Sequence, residues 1–308
     1  MNTTSKPNPS RTVLVTGATG FIGSALVAQL LARGDSVVAL SRNATKARRK
    51  LGARVQIVDS LAQIAPSAVI DAVVNLAGEP LAGGPWSAAR KQRFVDSRVQ
   101  TTAQLIDLFE RLASPPAVLV NGSAVGYYGE RGDDTLDERD GPRDEFLSTL
   151  CQQWEAEARR AEMLGVRVCL LRTGLVLGAG GGLLAPLLLS SRLGLGAVFA
   201  NGRQWQPWIH IDDEIGLILH LIDHPTLSGP FNATSPEPVT QRELMDILAT
   251  VLKRPRWLRV PASLLKLSGE MSVLFMVSQR VLPTFALESG YVFRYPALAT
   301  ALRQIIGR

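Results

Sequence analysis

Cysteine is scarce in this chain: Cys151 and Cys169 are the only two in 308 residues, and they lack metal-ligand spacing. No metal site is expected, and such sparse cysteine fits reduced thiols in a cytoplasmic setting. Long apolar runs are also missing. The richest stretch, Leu183 to Leu195, is broken by Pro186, Ser190, Ser191 and Arg192, short of the roughly 18 residues that would suggest a membrane span. Met1 to Ser10 has no apolar segment of the kind a signal peptide needs, so residues 1–10 are expected to be a loose tail. There is no repeat of solenoid period and no low-complexity tract. Thirty-three basic against 27 acidic residues give a net charge of +6. That charge is scattered apart from Arg42–Lys50 and Arg90–Arg98, so nucleic acid is not the expected partner. What remains is a non-membrane protein with 46% hydrophobic residues, enough for a substantial core.

The most informative stretch runs from Val13 to Gly23. Apolar, mostly β-branched residues read as a buried parallel strand, which stops at Gly17. Glycines follow at Gly20 and Gly23, and Ala25, Leu26, Leu30 and Leu31 continue at helical spacing. Strand, glycine turn and helix form the context in which such a pattern binds a dinucleotide. Gly17 suits a turn that a side chain would obstruct, Gly20 a close approach of backbone to diphosphate, and Gly23 tight packing of helix on strand. The helix N-terminus adds free N–H groups and a positive dipole end.

A second strand, Ser36–Leu40, ends at Ser41-Arg42. A carboxylate there would bond the ribose 2′-hydroxyl of NAD, whereas arginine accepts the 2′-phosphate of NADP, so NADP(H) is the expected cofactor. A third strand, Val55–Val58, closes at Asp59, placed to meet the adenine. A fourth, Ala68–Asn75, runs into Leu76-Ala77-Gly78-Glu79, where small residues leave room for ribose and diphosphate. A fifth, Ala117–Val120, exits at Asn121-Gly122-Ser123. Helices are expected over Ser87–Arg111, where Lys91 and Arg98 share a face that could grip an anion or simply be solvated, and over Asp144–Glu162. A sixth strand, Arg167–Arg172, leads through Thr173 into the glycine-rich Gly178–Gly182. His210 precedes a helix cap and reads as a structural histidine, followed by Asp212, Asp213 and Glu214 at a helix N-terminus. Another helix is expected from Thr240 to Leu252.

Taken together, Thr16–Gly23, Asn75–Gly78, Ser123 with Tyr127-Tyr128-Gly129, Arg172–Gly178 and Ile209–Asp213 resemble the extended short-chain dehydrogenase/reductase superfamily. Asn75–Glu79, Ser97-Arg98, Ser123–Gly129, Trp154-Glu155, Gly202–Trp205 with Trp208–His210, and Arg254-Pro255 narrow the resemblance to its atypical epimerase-family group, over about Arg11 to Ile306. The resemblance implies an α/β fold, a doubly wound parallel Rossmann sheet with a smaller C-terminal substrate-side lobe. Residues 11–178 would form the NADP-binding part, completed by later segments up to about 235, and 179–308 mainly the lobe and a family-specific C-terminal segment. The expected cofactor contacts are Gly17, Thr19, Gly20, Phe21, Ile22, Gly23, Ser41, Arg42, Asp59, Leu76, Ala77, Gly78, Glu79, Arg98 and Thr173.

The same comparison exposes a gap. Typical members carry Tyr-x-x-x-Lys on the helix before the sixth strand, and registering Trp154-Glu155 on that helix puts Leu147 and Cys151 in those places. Leucine carries no proton, and cysteine supplies no fixed positive charge. Tyr127 and Arg131 have the dyad's spacing, but Gly126, Gly129 and Gly132 argue against a helix there. Ser123 and Tyr127 are the candidate catalytic pair, polarising a substrate carbonyl together. Two functions stand side by side: an NADP(H)-dependent oxidoreductase or epimerase-like enzyme on a small molecule, and a catalytically silent NADP(H)-binding redox sensor. A strict nucleotide-sugar epimerase is disfavoured without the tyrosine base, and a homodimer remains open.

Overall fold

The computed structural model describes residues 10–307. The expected tail therefore lies outside the described residues except for Ser10, whose hydroxyl donates to the Gly34 carbonyl at 2.9 Å.

Five strands open the fold: β1 (Thr12–Thr16), β2 (Ser36–Leu40), β3 (Gln56–Val58), β4 (Ala72–Asn75) and β5 (Val118–Ala124). Two later strands, Arg167–Thr173 and Gly229–Ala233, complete a seven-stranded sheet. Across it the order is β3, β2, β1, β4, β5, Arg167–Thr173, Gly229–Ala233, with every pairing parallel. The side-chain period of two divides each strand between two cores. Val13, Val15, Val37, Ala39, Ala72, Val74, Val118 and Val120 face one side, and Leu14, Val38, Val73 and Leu119 face the other.

Helices cover both faces. α1 (Phe21–Arg33) and α6 (Ile211–Asp223) bury Leu26, Leu30, Ile218 and Leu221 in the first core. α3 (Ala88–Arg111) buries Leu105, Ile106 and Phe109 in the second. Between these in the chain lies α2 (Ala44–Leu51), and after α3 comes α4 (Phe146–Arg159). A separate apolar core joins α5 (Leu184–Arg192), α7 (Gln241–Leu252) and the final helix Leu298–Ile306 around Leu184, Trp208, Leu244, Leu248 and Leu302. The start of α7 is fixed by a capping box in which Thr240 and Glu243 satisfy each other's backbone N–H groups.

Three elements differ from the sequence reading by more than one residue. The fifth strand, expected over Ala117–Val120 with its exit at Asn121-Gly122-Ser123, runs on to Ala124, because those residues continue the pairing with Leu170–Thr173. The fourth strand begins at Ala72 rather than Ala68, because the Ala68 N–H closes a turn onto the Ala65 carbonyl. The helix expected over 144–162 spans Phe146–Arg159 and tightens into a 3₁₀ turn over Arg160–Leu164, ended by Gly165 at φ +76°. No helix among the described residues is long and apolar enough to cross a membrane, and among them no group of three or more His, Cys, Asp or Glu could hold a metal ion.

Chain order reverses at β1, which has β2 on one side and β4 on the other. Such a reversal leaves a crevice outside the carboxyl ends of the strands, and the site is built there.

Candidate dinucleotide cleft and its surroundings

Gly17 leaves β1 at φ +65°, and a Cβ there would stand 2.4 Å from the Leu76 carbonyl oxygen. The turn and the β4 exit are therefore in backbone contact, and only glycine fits. At Gly23 a Cβ would fall 2.3 Å from the Gly17 carbonyl oxygen, so α1 starts flush against the turn. Gly20 is the α1 N-cap; it has no side-chain cap, and the first turn carries no acidic residue. The N–H groups at this helix start are left for a ligand.

Behind the turn, a buried polar belt fixes the strand ends. Thr16 Oγ1 donates to Asn75 Oδ1 (2.5 Å), and the Asn75 amide donates to Thr102 (2.9 Å) and to Asn121 (2.7 Å). The Thr16 hydroxyl also receives the Ala77 N–H at 3.2 Å.

These elements border a cleft of about 1130 Å³. Its lining includes Gly17, Thr19, Gly20, Ser41, Arg42, Asp59, Leu76, Ala77, Gly78 and Glu79, ten of the expected cofactor residues brought together from four strand exits. Arg42 is exposed, and among the described residues its side chain makes no hydrogen bond or ion pair. Lys46 and Lys50, four apart on α2, join it at the lining, and Lys50 Nζ donates to the Thr19 carbonyl at 2.8 Å. Asn43 caps α2 by accepting from the Lys46 N–H at 2.9 Å. The sequence reading noted the basic density of Arg42–Lys50 without assigning Lys46 and Lys50; their i, i+4 spacing was the available signal.

The other expected contacts lie elsewhere. Phe21, Ile22 and Gly23 form the first turn of α1, with the Phe21 ring covering Gly181 on the glycine-rich loop. Arg98 stands behind the cleft wall: its guanidinium donates to the carbonyls of Phe94 (3.1 Å) and Glu79 (3.1 Å) and lies against Gly78, where a Cβ would meet it at 3.0 Å. Burial lowers its pKa, and it holds the Gly78–Glu79 backbone from beneath. Thr173 donates to Glu214 Oε1 at 2.9 Å. Lys91, Arg98's companion on the shared helix face, pairs instead with Glu270.

Where β5 meets the Arg167–Thr173 strand, Ser123 sits opposite Arg172. Arg172 and Glu155 form a bidentate ion pair at 2.9 and 3.0 Å, with side chains 4% and 6% exposed. Burial acts to lower the Arg172 pKa, but its bonds to Glu155 and Tyr128 outweigh it and the net shift is upward. Ser123 donates to Glu155 Oε1 at 2.7 Å. Tyr128, fully buried, accepts from Arg172 (3.0 Å) and donates to Asn232 (2.7 Å), and burial pushes its pKa up. Tyr127 is half-buried, with the Arg172 guanidinium 3.5 Å from its ring centre.

The two members of the expected pair, Ser123 and Tyr127, therefore sit in different surroundings. The Ser123 hydrogen is held by a buried carboxylate, and Tyr127 alone retains a hydroxyl with no hydrogen bond to the described residues. Leu147 packs on Gly126, and Cys151 is buried against the Ala124 carbonyl, its thiol pushed up to about 11 by burial. Neither replaces the missing acid/base pair.

His210 is the N-cap of α6: Nδ1 accepts the Asp212 N–H at 3.0 Å, so Nε2 carries the hydrogen and faces Gln304 Oε1 at 2.9 Å. The structural role expected for it is the one observed. Asp213 and Glu214 do more than favour a helix dipole. Asp213 accepts the N–H groups of Arg294 (2.7 Å) and Tyr295 (2.9 Å). Glu214 is fully buried with Oε2 unpartnered among the described residues, and burial pushes its carboxyl up to about 8. The sequence reading missed this acid and the Glu155–Arg172 pair.

Residues 13–233 match the family model described as NAD dependent epimerase/dehydratase family, and residues 260–305 match a domain of unknown function, DUF1731. The chloroplastic SDR39U1 homolog of Arabidopsis thaliana, an epimerase family protein, is 37% identical over 98% of this chain and 88% of its own length. The epimerase family protein YfhF of Bacillus subtilis is 37% identical over 96% of this chain and 97% of its own. Among solved structures, the human epimerase family protein SDR39U1 (isoform 2) with NADPH superposes with a TM-score of 0.88 at 32% identity, covering 96% of this chain and 99% of that one.

Proposed function

The chain belongs to the NAD dependent epimerase/dehydratase family, and from that premise we propose that it binds NADPH in the cleft outside β1, β2 and β4 and reduces the carbonyl of a small molecule. The observation that carries the reading is the exposed Arg42 at the β2 exit, flanked by Lys46 and Lys50 on the same cleft as Gly17 and Gly20. The residues present fit the cofactor. Gly17 and Gly20 leave backbone where a side chain would intrude, the uncapped α1 offers N–H donors to a diphosphate, and Arg42 offers the fork that suits a 2′-phosphate. The human relative's structure with NADPH supports the same choice.

NADPH held there would supply the hydride. The protein's share is to hold the glycine turn and the β4 exit in place through the buried belt of Thr16, Asn75 and Asn121, and to give a proton to the substrate oxygen. Tyr127 is the group we assign to that step, since Ser123 and Tyr128 have their hydroxyl hydrogens engaged. Arg172 beneath the Tyr127 ring stabilises the electron-rich face of the phenol.

A second reading, a cofactor-binding protein without turnover, draws on Leu147 and Cys151 in the places of the usual tyrosine and lysine. The two separate in one experiment, in which the NADPH absorbance is followed while a panel of ketones and aldehydes is added to the wild type and to Tyr127→Phe. Oxidation by the wild type, lowered on the order of 10²–10⁴-fold in the variant at unchanged NADPH affinity, is the expected result for a general acid. Equal rates in the two proteins would remove Tyr127 from the chemistry.

A further inference from the structure

Another cavity, of about 510 Å³, is lined by the loop after β4, the start of α4 and the C-terminal segment. The loop after β4 runs from the cofactor cleft to it. Glu79 and Pro80 line the cleft, and six residues later Trp86 lines the cavity, its indole fixed by donating to the Leu81 carbonyl at 2.9 Å. The remaining lining comes from Phe146 and Leu147 at the start of α4, and from Val273, Met276 and Val277 in the C-terminal segment. Trp86 and Phe146 stack edge to face with ring centres 5.7 Å apart. Leu147, lying on Gly126 next to Tyr127, brings this cavity to the turn that carries the proposed proton donor.

The polar lining has one sign. Glu130, Glu145 and Glu270 contribute carboxylates, and no Lys or Arg lines the cavity. Lys91 stands 5.0 Å from the Phe146 ring centre and pairs with Glu270, whereas Glu130 and Glu145 form no ion pair among the described residues. Their oxygens accept only backbone N–H groups, Glu130 from Gly132 (2.9 Å) and Ser278 (2.8 Å) and Glu145 from Glu130 (3.1 Å). The cofactor cleft is lined by both signs, Arg42, Lys46, Lys50 and Arg111 against Asp59, Glu79 and Asp107, whereas the charged groups lining this cavity are carboxylates alone. One space is furnished for phosphates, and the other repels them while offering aromatic faces and carboxylates to a cation.

Building on the proposed reductase reading, we infer that this cavity is the substrate site and that it takes an apolar, aromatic-sized carbonyl compound bearing a basic nitrogen, while excluding carboxylated and phosphorylated ligands such as nucleotide sugars. Trp86 and Phe146 would flank the apolar body, and Glu130 and Glu145 would face the ammonium.

The test uses three acetophenones of one scaffold, unsubstituted, 4-dimethylaminomethyl and 4-carboxy, together with UDP-glucose. Binding to the NADPH-loaded full chain and to the cofactor-free chain is read by saturation-transfer NMR and Trp fluorescence. The amine is expected to bind on the order of tenfold or more tighter than the carboxylate, since one charge pair at contact is worth about a factor of five even in a water-like dielectric. Glu145→Gln should cut the amine's advantage, and Met276→Trp, which fills the cavity, should abolish binding of the amine with NADPH affinity unchanged. Tighter binding by the carboxylate or UDP-glucose, no saturable binding by the amine, or insensitivity to both substitutions would each overturn the assignment. Failure of NADPH itself to bind would instead strike the reductase reading, because ligand selectivity is also measured without cofactor.

Discussion

Replacing Glu155 with Gln should destabilise the protein more than any other single isosteric change at the strand exits. Glu155 accepts three hydrogen bonds, from Arg172 Nε, Arg172 Nη2 and Ser123 Oγ, at 2.9, 3.0 and 2.7 Å. Its side chain is 6% exposed and that of Arg172 is 4% exposed. Glutamine keeps one acceptor, turns an NH₂ group toward donors that already point at it, and leaves the guanidinium buried without a counter-charge. Breaking a buried pair from one side costs about 3–5 kcal/mol. Urea unfolding would read this as a fall in midpoint with little change in slope, since the surface exposed on unfolding is unchanged. Glu155→Leu combined with Arg172→Met removes both charges and should be more stable than Glu155→Gln alone, because the desolvation penalty goes with them. A loss below about 1 kcal/mol in Glu155→Gln, the range of exposed pairs, would refute the view that this pair is buried and mutually dependent.

Two further outcomes follow from buried ionisable groups. The Glu214 carboxyl, raised from 4.5 to about 8 by burial, binds its proton more tightly folded than unfolded; its contribution to stability is therefore lost as pH rises from about 4.5 through 8. Unfolding measured across that window should show a downward slope with pH that flattens in Glu214→Gln, and an unchanged slope would contradict the assignment. Cys151 and Cys169 are both buried, with thiols pushed up to about 11, so a thiol-specific reagent at mildly alkaline pH should modify neither in the folded protein and both in urea; labelling of Cys151 in the native chain would show that the α4 face against β5 is open.

The cofactor cleft was legible in the sequence because its demands are local. Gly17 and Gly23 are fixed by contacts within a few residues of the turn or at one neighbouring strand exit, and Arg42 by its place at the end of β2. The parallel, doubly wound sheet was legible through the family resemblance, whereas the order of its strands is seen only in the fold. Charges that act across the fold were not legible. Glu155 reads as one more acid on an amphipathic helix and Arg172 as a strand-end cation; that they meet beneath Ser123 depends on how α4 crosses β5. Glu214 looks like a residue favouring a helix N-terminus, and its burial comes from packing of α6 on the sheet. The second cavity combines Trp86, Glu130, Glu145 and Val273, segments with no shared local pattern. Ser123 was expected to be a free donor because its partner could not be seen.

The measurement that tests the central claim most directly is a paired titration of the wild type and Arg42→Ala with NADPH and NADH, followed by nucleotide fluorescence. The wild type is expected to prefer NADPH, and Arg42→Ala to weaken NADPH by about 1.5–3 kcal/mol, the worth of a hydrogen bond to a charged group, with NADH nearly unchanged. Equal affinities of the wild type for the two nucleotides, or an equal loss of both in the variant, would contradict the assignment of Arg42 to the 2′-phosphate and with it the proposed use of NADPH.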